Sequence, residues 1–368
     1  MAAQANLTVL HYTGAQNDQG GIVSAIRTLA AAEVFSCVLG VSPGFTQRRS
    51  PPLPTLELPA IDAEVIGWKT WWRARAVARA MRVWLDAEPG RIFHAHSRAG
   101  LLVAQRLVAS GERRVVASVH CYGRQRWFYR RASRRLGSRL FWLSPAMKRY
   151  YGIGGEDWTQ CIPGGVTALP VPLDPRGPVS GKVLRLGGIG MLVSWKRWHD
   201  VIEALAALPP GVRERVSFQH IGSPDTTTGS RAYARQLRAR TAALGLEGQV
   251  SWLGEQPNSD ALLASVDCLL VTSQAEPFSI ALLESLRAGV PGLGADSGGV
   301  VDLVRPGETG WTFRTGDVAD LARAITSLVE TDALARVRIT PETIRSFTAP
   351  VLAGQWAVVY AGLEPASR

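Results

Sequence analysis

Two carboxylates, Glu276 and Glu284, stand in the segment EPFSIALLE with seven residues between them. On a single helix, eight steps of about 100° would leave them roughly 80° apart. The better reading puts Glu276 before a helix and Glu284 inside it, on the face towards the strand ends. A helix starting at Phe278–Ser279–Ile280 would present free backbone N–H groups and a positive dipole end, a ready site for a diphosphate. A carboxylate beside it can accept hydrogen bonds from sugar or ribose hydroxyls. Either Glu alone reads as a solvated helix residue. The SGGVVDLV and PGETGW that follow make the combination specific.

Lys196 lies in SWKRW and is one of four lysines in the chain. A fixed cation there would stabilise charge building on a leaving phosphate; the alternative is a surface charge at a helix start. His120 ends the strand-like run VVASVH and precedes Cys-Tyr-Gly. His94 and His96 flank Ala95 and would point the same way from a strand. A zinc site would need further ligands, and none has fitting spacing, so they read as packing or hydrogen-bonding residues. The roles of His11 and His220 stay open. No Asp-x-Asp pair stands at a strand end to carry a divalent metal on a diphosphate, so no metal and no other cofactor is expected.

Short strand-like runs alternate with longer helical patterns to position these groups. LTVLHY, FSCVLGV, RIFHAHS, RVVASVH, RLFWLS and QCIPGGV read as strands of the first half, and KVLRLGGIG, VSFQHIG, VSWLGE and DCLLVTS as strands of the second. Helices are expected over GGIVSAIRTLAAAEV, WHDVIEALAAL, SRAYARQLRARTAALG, SDALLASV, FSIALLESLRAG and PVLAGQWAVVYAGL. Such alternation argues for doubly wound α/β domains with parallel sheets, which bind ligands at the carboxyl ends of their strands. With 368 residues, two domains fit better than one. The Pro-rich stretch TALPVPLDPRGPVSG suits neither a helix nor a central strand. The expected division is therefore a Rossmann-like domain over 1–170, a linker over 171–181, a second Rossmann-like domain over 182–345 and a helical segment over 346–368, with a cleft between the domains. A hydrophobic share of 46% and a charged share of 19% exclude a disordered or fibrous chain, and no apolar run reaches the length of a membrane span. The N-terminus lacks signal-peptide character. Cys37, Cys121, Cys161 and Cys268 match neither a zinc spacing nor a disulfide framework, which fits a reducing cytoplasm.

EPFSIALLE followed by AGVP, SGG and GETGW resembles the signature of family 4 glycosyltransferases, which have the GT-B fold. The similarity extends to GGIGMLVSWKRWHDVIEAL, VSWLGE and SVDCLLVTSQAEPFS. In the first half it rests on the shorter DQGGIVSAI, IFHAHS and SVHCYG. The resemblance implies a retaining transferase that moves a sugar from a nucleotide-sugar, a UDP-sugar by default. It gives Glu284 the ribose hydroxyls, Glu276 the sugar hydroxyls, and Phe278, Ser279 and Ile280 the sugar and diphosphate. Lys196 falls to the diphosphate, His120 to the donor sugar, and Gly20 and Gly21 to a Gly-rich turn facing the donor. It also implies front-face attack without a carboxylate nucleophile. Two departures stand out. The family's Gly-Arg-Leu-Val reads Gly190–Met191–Leu192–Val193, so a second diphosphate cation is missing and Arg197 is the candidate substitute. Its Asn-Gly-Val-Asp is replaced by IPGGVT.

The formal net charge of +11 is uneven: residues 1–170 carry +12 and residues 171–368 carry −1. Arg accounts for 37 of the 41 basic residues, as a GC-rich genome would give, but genome composition does not explain the asymmetry. An anionic partner does. In GWKTWWRARAVARAMRVWLDAE, helical spacing puts Val77, Met81, Trp84 and Leu85 on one face. Trp68, Trp71, Trp72, Arg75, Arg79 and Arg82 gather on the other. This reads either as an interfacial helix for a membrane or as a surface helix whose Trp residues pack under a neighbouring loop. GRQRWFYRRASRRLGSR holds seven Arg in seventeen residues and follows His120. Its Arg124, Arg126 and Arg130 are candidates for an anionic acceptor, against a plain solvated basic helix. No nucleic-acid module accompanies these segments, so a nucleic-acid partner is not expected. The sequence thus points to a cytoplasmic, membrane-peripheral transferase acting on an anionic or lipid-linked acceptor in envelope polysaccharide or glycolipid assembly. The alternatives are a small soluble acceptor or a non-catalytic binding or scaffold protein of the same fold.

Overall fold

The computed structural model describes residues 7–18, 20–61, 66–155, 157–167 and 183–363. The chain divides into two compact units, Met1–Ala168 with Phe347–Arg368, and Leu169–Ser346. The expected linker over 171–181 lies outside the described residues.

In the first unit, strands β1 (Thr8–Tyr12), β2 (Ser36–Val41), β3 (Thr55–Glu57), β4 (Arg91–Ala95), β5 (Val115–Val119) and β6 (Leu140–Trp142) form a six-stranded sheet in the order β3-β2-β1-β4-β5-β6. All its ladders are parallel. Helices Gly21–Ala30, Trp68–Asp86, Arg98–Ala109 and Arg126–Leu136 provide the crossovers. Central strands of such a sheet are covered on both faces and read as unbroken apolar runs; β5, Val-Val-Ala-Ser-Val, is buried throughout. Helix Ala349–Ala361, the last element among the described residues, returns to this unit. Its Leu352, Trp356 and Tyr360 recur every four residues on one face and pack with Val9, Ile92, Val116 and Phe141. Burying each contributes about 1.5–3 kcal/mol.

In the second unit, β7 (Leu184–Ile189), β8 (Val216–Ile221), β9 (Val250–Trp252), β10 (Cys268–Val271), β11 (Gly292–Ala295) and β12 (Gly310–Phe313) form a parallel sheet in the order β12-β11-β10-β7-β8-β9. Counted within the unit, this is the same Rossmann order as in the first. In both sheets the order reverses between the first and fourth strands, where ligands collect at the carboxyl ends. The switch points are β1/β4 and β7/β10. A core of Leu186, Trp198, Val201, Phe218, Leu270, Leu293, Leu321 and Ile325 holds the second sheet to its helices.

The α/β class and its two doubly wound parallel sheets are as the sequence indicates. Three short strands, β3, β11 and β12, were not anticipated. QCIPGGV is a correction: it forms only isolated bridges, Trp142 to Cys161 and Val166 to Thr348. Its Pro163 lacks a ladder donor, and its paired glycines lack side chains to pack. No helix among the described residues is long and apolar enough to cross a membrane.

Candidate donor site and histidine cluster

At the β7/β10 switch point, the loop after β7 runs through Gly190 and Met191 into the short 3-10 turn Ser194–Lys196. Two bonds tie that turn to the end of β10. The Thr272 hydroxyl donates to the Lys196 carbonyl at 2.6 Å, and the Gln274 N–H donates to the Trp195 carbonyl at 2.9 Å. Lys196 Nζ then donates to Glu276 Oε2 at 2.5 Å. The Ser273 hydroxyl donates to the same oxygen at 2.8 Å. Glu276 is only 7% exposed, so its carboxylate requires these partners.

The loop that carries Glu276 is shaped by the glycines after β11. Gly298 has φ +60°, and a Cβ there would lie 2.1 Å from the Glu276 carbonyl oxygen. The Gly299 N–H donates to that same carbonyl at 2.7 Å. The SGG motif therefore exists because the Glu276 backbone passes directly over it.

Helix Ile280–Arg287 begins where the sequence indicates, with Glu276 before it and Glu284 inside it. Ser279 is the N-cap, its hydroxyl accepting from the Leu282 N–H at 3.2 Å. That leaves the Ile280 and Ala281 N–H groups at first-turn positions with no intrahelical acceptor. Phe278 and Ser279 are buried beneath this end. Glu284 accepts from the Ser259 hydroxyl at 2.8 Å, a partner that sequence spacing could not supply.

Arg197 differs from its expected part. Its guanidinium grips buried Asp200 through two hydrogen bonds, at 2.7 and 3.0 Å, and its backbone is left-handed with φ 55°. The side chain is already neutralised by a carboxylate three residues on. The missing cation at Met191, which stands 41% exposed, is therefore not replaced by an unpaired Arg197.

In the first unit, helix Gly21–Ala30 starts after Gly20, whose φ is 98°. A Cβ at Gly20 or Gly21 would meet nothing within 4 Å, so open space stands before this helix end. The adjoining turn is held by Asp18, which accepts from the Arg48 and Arg49 N–H groups and from Arg27. Burial alone would raise the Asp18 pKa; those donors outweigh it and hold it below the usual range.

The histidines form a cluster that the sequence did not reveal. His11 and His94 are register partners across β1 and β4, so His11, His94 and His96 share one side of the sheet. His11 Nδ1 lies 2.9 Å from His96 Nε2, and His96 Nδ1 lies 2.9 Å from His120 Nε2. His94 is hydrogen-bonded at both nitrogens, to the Tyr360 hydroxyl at 2.7 Å and the Ser118 hydroxyl at 2.8 Å. The signal was present in the alternate spacing of His94 and His96; the missing information was the β1/β4 register. Ligand atoms of His11, His94 and His96 lie close enough to share an ion. However, His94 has no free lone pair to offer without giving up a buried partner, so the group is built for hydrogen bonding. Burial depresses the whole cluster: His11 to about 3, with His120 adding to the effect, and His120 to about 4. His94 and His96 are pushed well below the ordinary value by burial and by the neighbouring histidines.

The basic segments divide. On helix Trp68–Asp86, Val77, Met81 and Leu85 are buried as expected, while Trp68 and Trp72 are 71% and 64% exposed. Trp71 is a correction: Arg106 lies over its ring at 4.8 Å and donates to its carbonyl, which places it against helix Arg98–Ala109. On helix Arg126–Leu136, Arg126 stacks on Tyr150 at 4.9 Å. Arg130 donates through Nε to the Tyr151 carbonyl at 2.7 Å. Arg124 is exposed.

Residues 181–343, which hold Lys196, Glu276 and Glu284, match the family described as glycosyl transferases group 1. N-acetyl-alpha-D-glucosaminyl L-malate synthase of Bacillus anthracis is 28% identical over 168 residues, 45% of this chain and 42% of that protein. The lipopolysaccharide core biosynthesis glycosyltransferase LpsE of Rhizobium meliloti is 31% identical over 146 residues, 40% of this chain and 39% of LpsE. The matches thus span less than half the length of these relatives. Among solved structures, HepE of Anabaena in complex with UDP and glucose has a TM-score of 0.74 at 20% identity, over 96% of this chain and 99% of that one. The sucrose-phosphate synthase of Thermosynechococcus elongatus has a TM-score of 0.76 at 18% identity, over 97% and 99%. At such identities the likeness concerns the fold, a two-domain α/β fold of the GT-B type.

Proposed function

We propose that this chain is a retaining, metal-independent glycosyltransferase that moves a sugar from a nucleotide-sugar, a UDP-sugar by default, to an anionic or lipid-linked acceptor. The observation that carries the reading is the Lys196–Glu276 pair at the β7/β10 switch point, beside the open N-terminus of helix Ile280–Arg287. It is supported by the family match over 181–343 and by the UDP and glucose bound in the HepE structure. In the reaction, the bond between the anomeric carbon and the diphosphate oxygen breaks, and its electron pair goes to the diphosphate. Lys196 and the Ile280 and Ala281 N–H groups meet that charge. Glu276 accepts hydrogen bonds from the sugar and Glu284 from the ribose. The acceptor hydroxyl attacks on the face the diphosphate leaves, and its proton passes to a diphosphate oxygen.

The place of action we assign is the cytoplasmic face of the membrane, in envelope polysaccharide or glycolipid assembly. The exposed Trp68 and Trp72 and the Arg-rich first unit support this, as does the naming of LpsE. A small soluble anion is the second reading, favoured by the malate in the name of the Bacillus relative. The test is hydrolysis or transfer of UDP-, GDP-, ADP- and dTDP-sugars by purified protein, with anomeric configuration read by NMR. Failure to bind or consume any of them refutes the transferase reading, and an inverted product refutes retention. Salt-sensitive co-sedimentation with anionic vesicles separates the two acceptor classes.

A further inference from the structure

We propose that His11 and His96 are positioning residues that fix His120 as a neutral hydrogen-bond donor, its outward Nδ1 carrying the proton. Three rings are joined by two bonds, His11 Nδ1 to His96 Nε2 and His96 Nδ1 to His120 Nε2, each 2.9 Å. A neutral imidazole carries one N–H and one lone pair. Each bond needs one of each, so fixing one ring fixes all three, and the row has only two settings.

In the first setting every ring is protonated at Nδ1. His11 donates to His96, His96 donates to His120, and His120 keeps an Nδ1–H for a ligand. In the second every ring is protonated at Nε2, and His120 turns a bare lone pair outward. The far end of the row decides between them. His11 is fully buried, and its Nε2 has no partner among the described residues. The second setting would strand an N–H there; the first strands only a lone pair. Orphaned buried N–H groups are the rarer and costlier of the two. His94 cannot relieve the end, because Tyr360 and Ser118 occupy both its nitrogens. With burial keeping the cluster neutral, the first setting holds. His120 then offers a directed N–H to an oxygen of a bound sugar or phosphate and cannot accept a proton from an acceptor hydroxyl at that atom.

The use of this donor in sugar transfer rests on the function proposed above; the tautomer does not. Protein labelled with 15N-histidine would be read by long-range 1H–15N correlation at pH 7, with His120 assigned from His120→Gln. The expected result is Nδ1–H on His11, His96 and His120 together. A free imidazole prefers Nε2–H, so the pattern is diagnostic. Nε2–H on His120 overturns the proposal. His11→Asn places an amide N–H where Nδ1 stood and should keep the His120 pattern, whereas His11→Leu should release it to a mixture and lower donor consumption at least tenfold with UDP affinity unchanged. Identical His120 spectra in both variants also overturn it. If His11→Leu does not fold, the wild-type spectrum and the Asn variant decide. The expected tautomers with no nucleotide-sugar consumed would refute the transferase reading and leave the positioning intact.

Discussion

Lys196 makes one contact that should matter in two separable ways. Its ammonium partners Glu276, with side-chain exposures of 14% and 9%. Breaking one side of a buried pair typically costs about 3–5 kcal/mol, because the remaining charge is stranded. The Ser273 hydroxyl still serves Glu276 Oε2, which places Lys196→Met near the low end, about 3 kcal/mol. For a unit of this size that corresponds to a melting shift of about 6–12 °C. Replacing both partners by neutral groups of similar shape, Lys196→Met with Glu276→Gln, removes the stranded charge and should recover most of that loss. Activity should not follow. A lost cation at the developing phosphate charge costs about 10²–10³ in kcat, and the double variant lacks the cation as surely as the single. The assay is a four-corner cycle of wild type, both single variants and the double, with melting temperature and UDP-sugar consumption measured on each. Recovery of both stability and activity in the double variant, or of neither, would refute the reasoning.

Gly298→Ala should disable donor binding, since its Cβ would lie 2.1 Å from the Glu276 carbonyl at a backbone φ of +60°. Calorimetric titration with UDP reads it, and unchanged affinity would count against the loop's role. Trp356→Ala should cost the first unit about 3–5 kcal/mol while leaving UDP affinity unchanged, measured by denaturant unfolding. Replacing Trp68 and Trp72 by Ala should abolish co-sedimentation with anionic vesicles without altering turnover of a water-soluble acceptor. Acid should weaken the first unit before the second. Each histidine held neutral has a folded pKa below its unfolded value of about 6.5, so the unfolded chain binds more protons as pH falls through that value. Stability is therefore full above about pH 6.5 and is lost below it at about 1.4 kcal/mol per pH unit per group, down to folded values of about 3 for His11 and about 4 for His120. The first unit holds four such histidines; the second has His220, at about 3 through burial and the charges of Lys196 and Arg238. Calorimetric scans between pH 7 and 5 should show the first unit's transition falling faster.

The turns around Lys196 and Glu276 were readable because they are local. EPFSIALLE, SGG and SWKRW each encode their own turn or cap, whereas the pairings of Lys196 with Glu276, of Glu284 with Ser259 and of Gly299 with the Glu276 carbonyl required the fold. The first unit was less readable because its site is made by strand register. Nothing in the spacing between His11 and His96 says that β1 lies beside β4, yet that adjacency creates the cluster. Arg197 shows the opposite failure: motif position suggested a free cation, and Asp200 three residues on had already claimed it. Trp71 looked outward by helical periodicity, but Arg106 from another helix covers it, a tertiary contact that no single helix pattern contains.

The helix Ala349–Ala361 makes the first unit discontinuous in the chain, with all of Leu169–Ser346 inserted before its last piece. During synthesis, the second unit is complete in the chain before the helix Ala349–Ala361 is added, and it can fold without that helix. The first cannot close its core until Trp356 and Tyr360 emerge, and the bond from Tyr360 to His94 spans 266 residues. Until then the apolar groove beneath β1, β4 and β5 stays open to solvent, so the nascent first unit is the aggregation-prone intermediate of this protein. A chain truncated before residue 349 should display a protease-resistant second unit and a protease-sensitive first one.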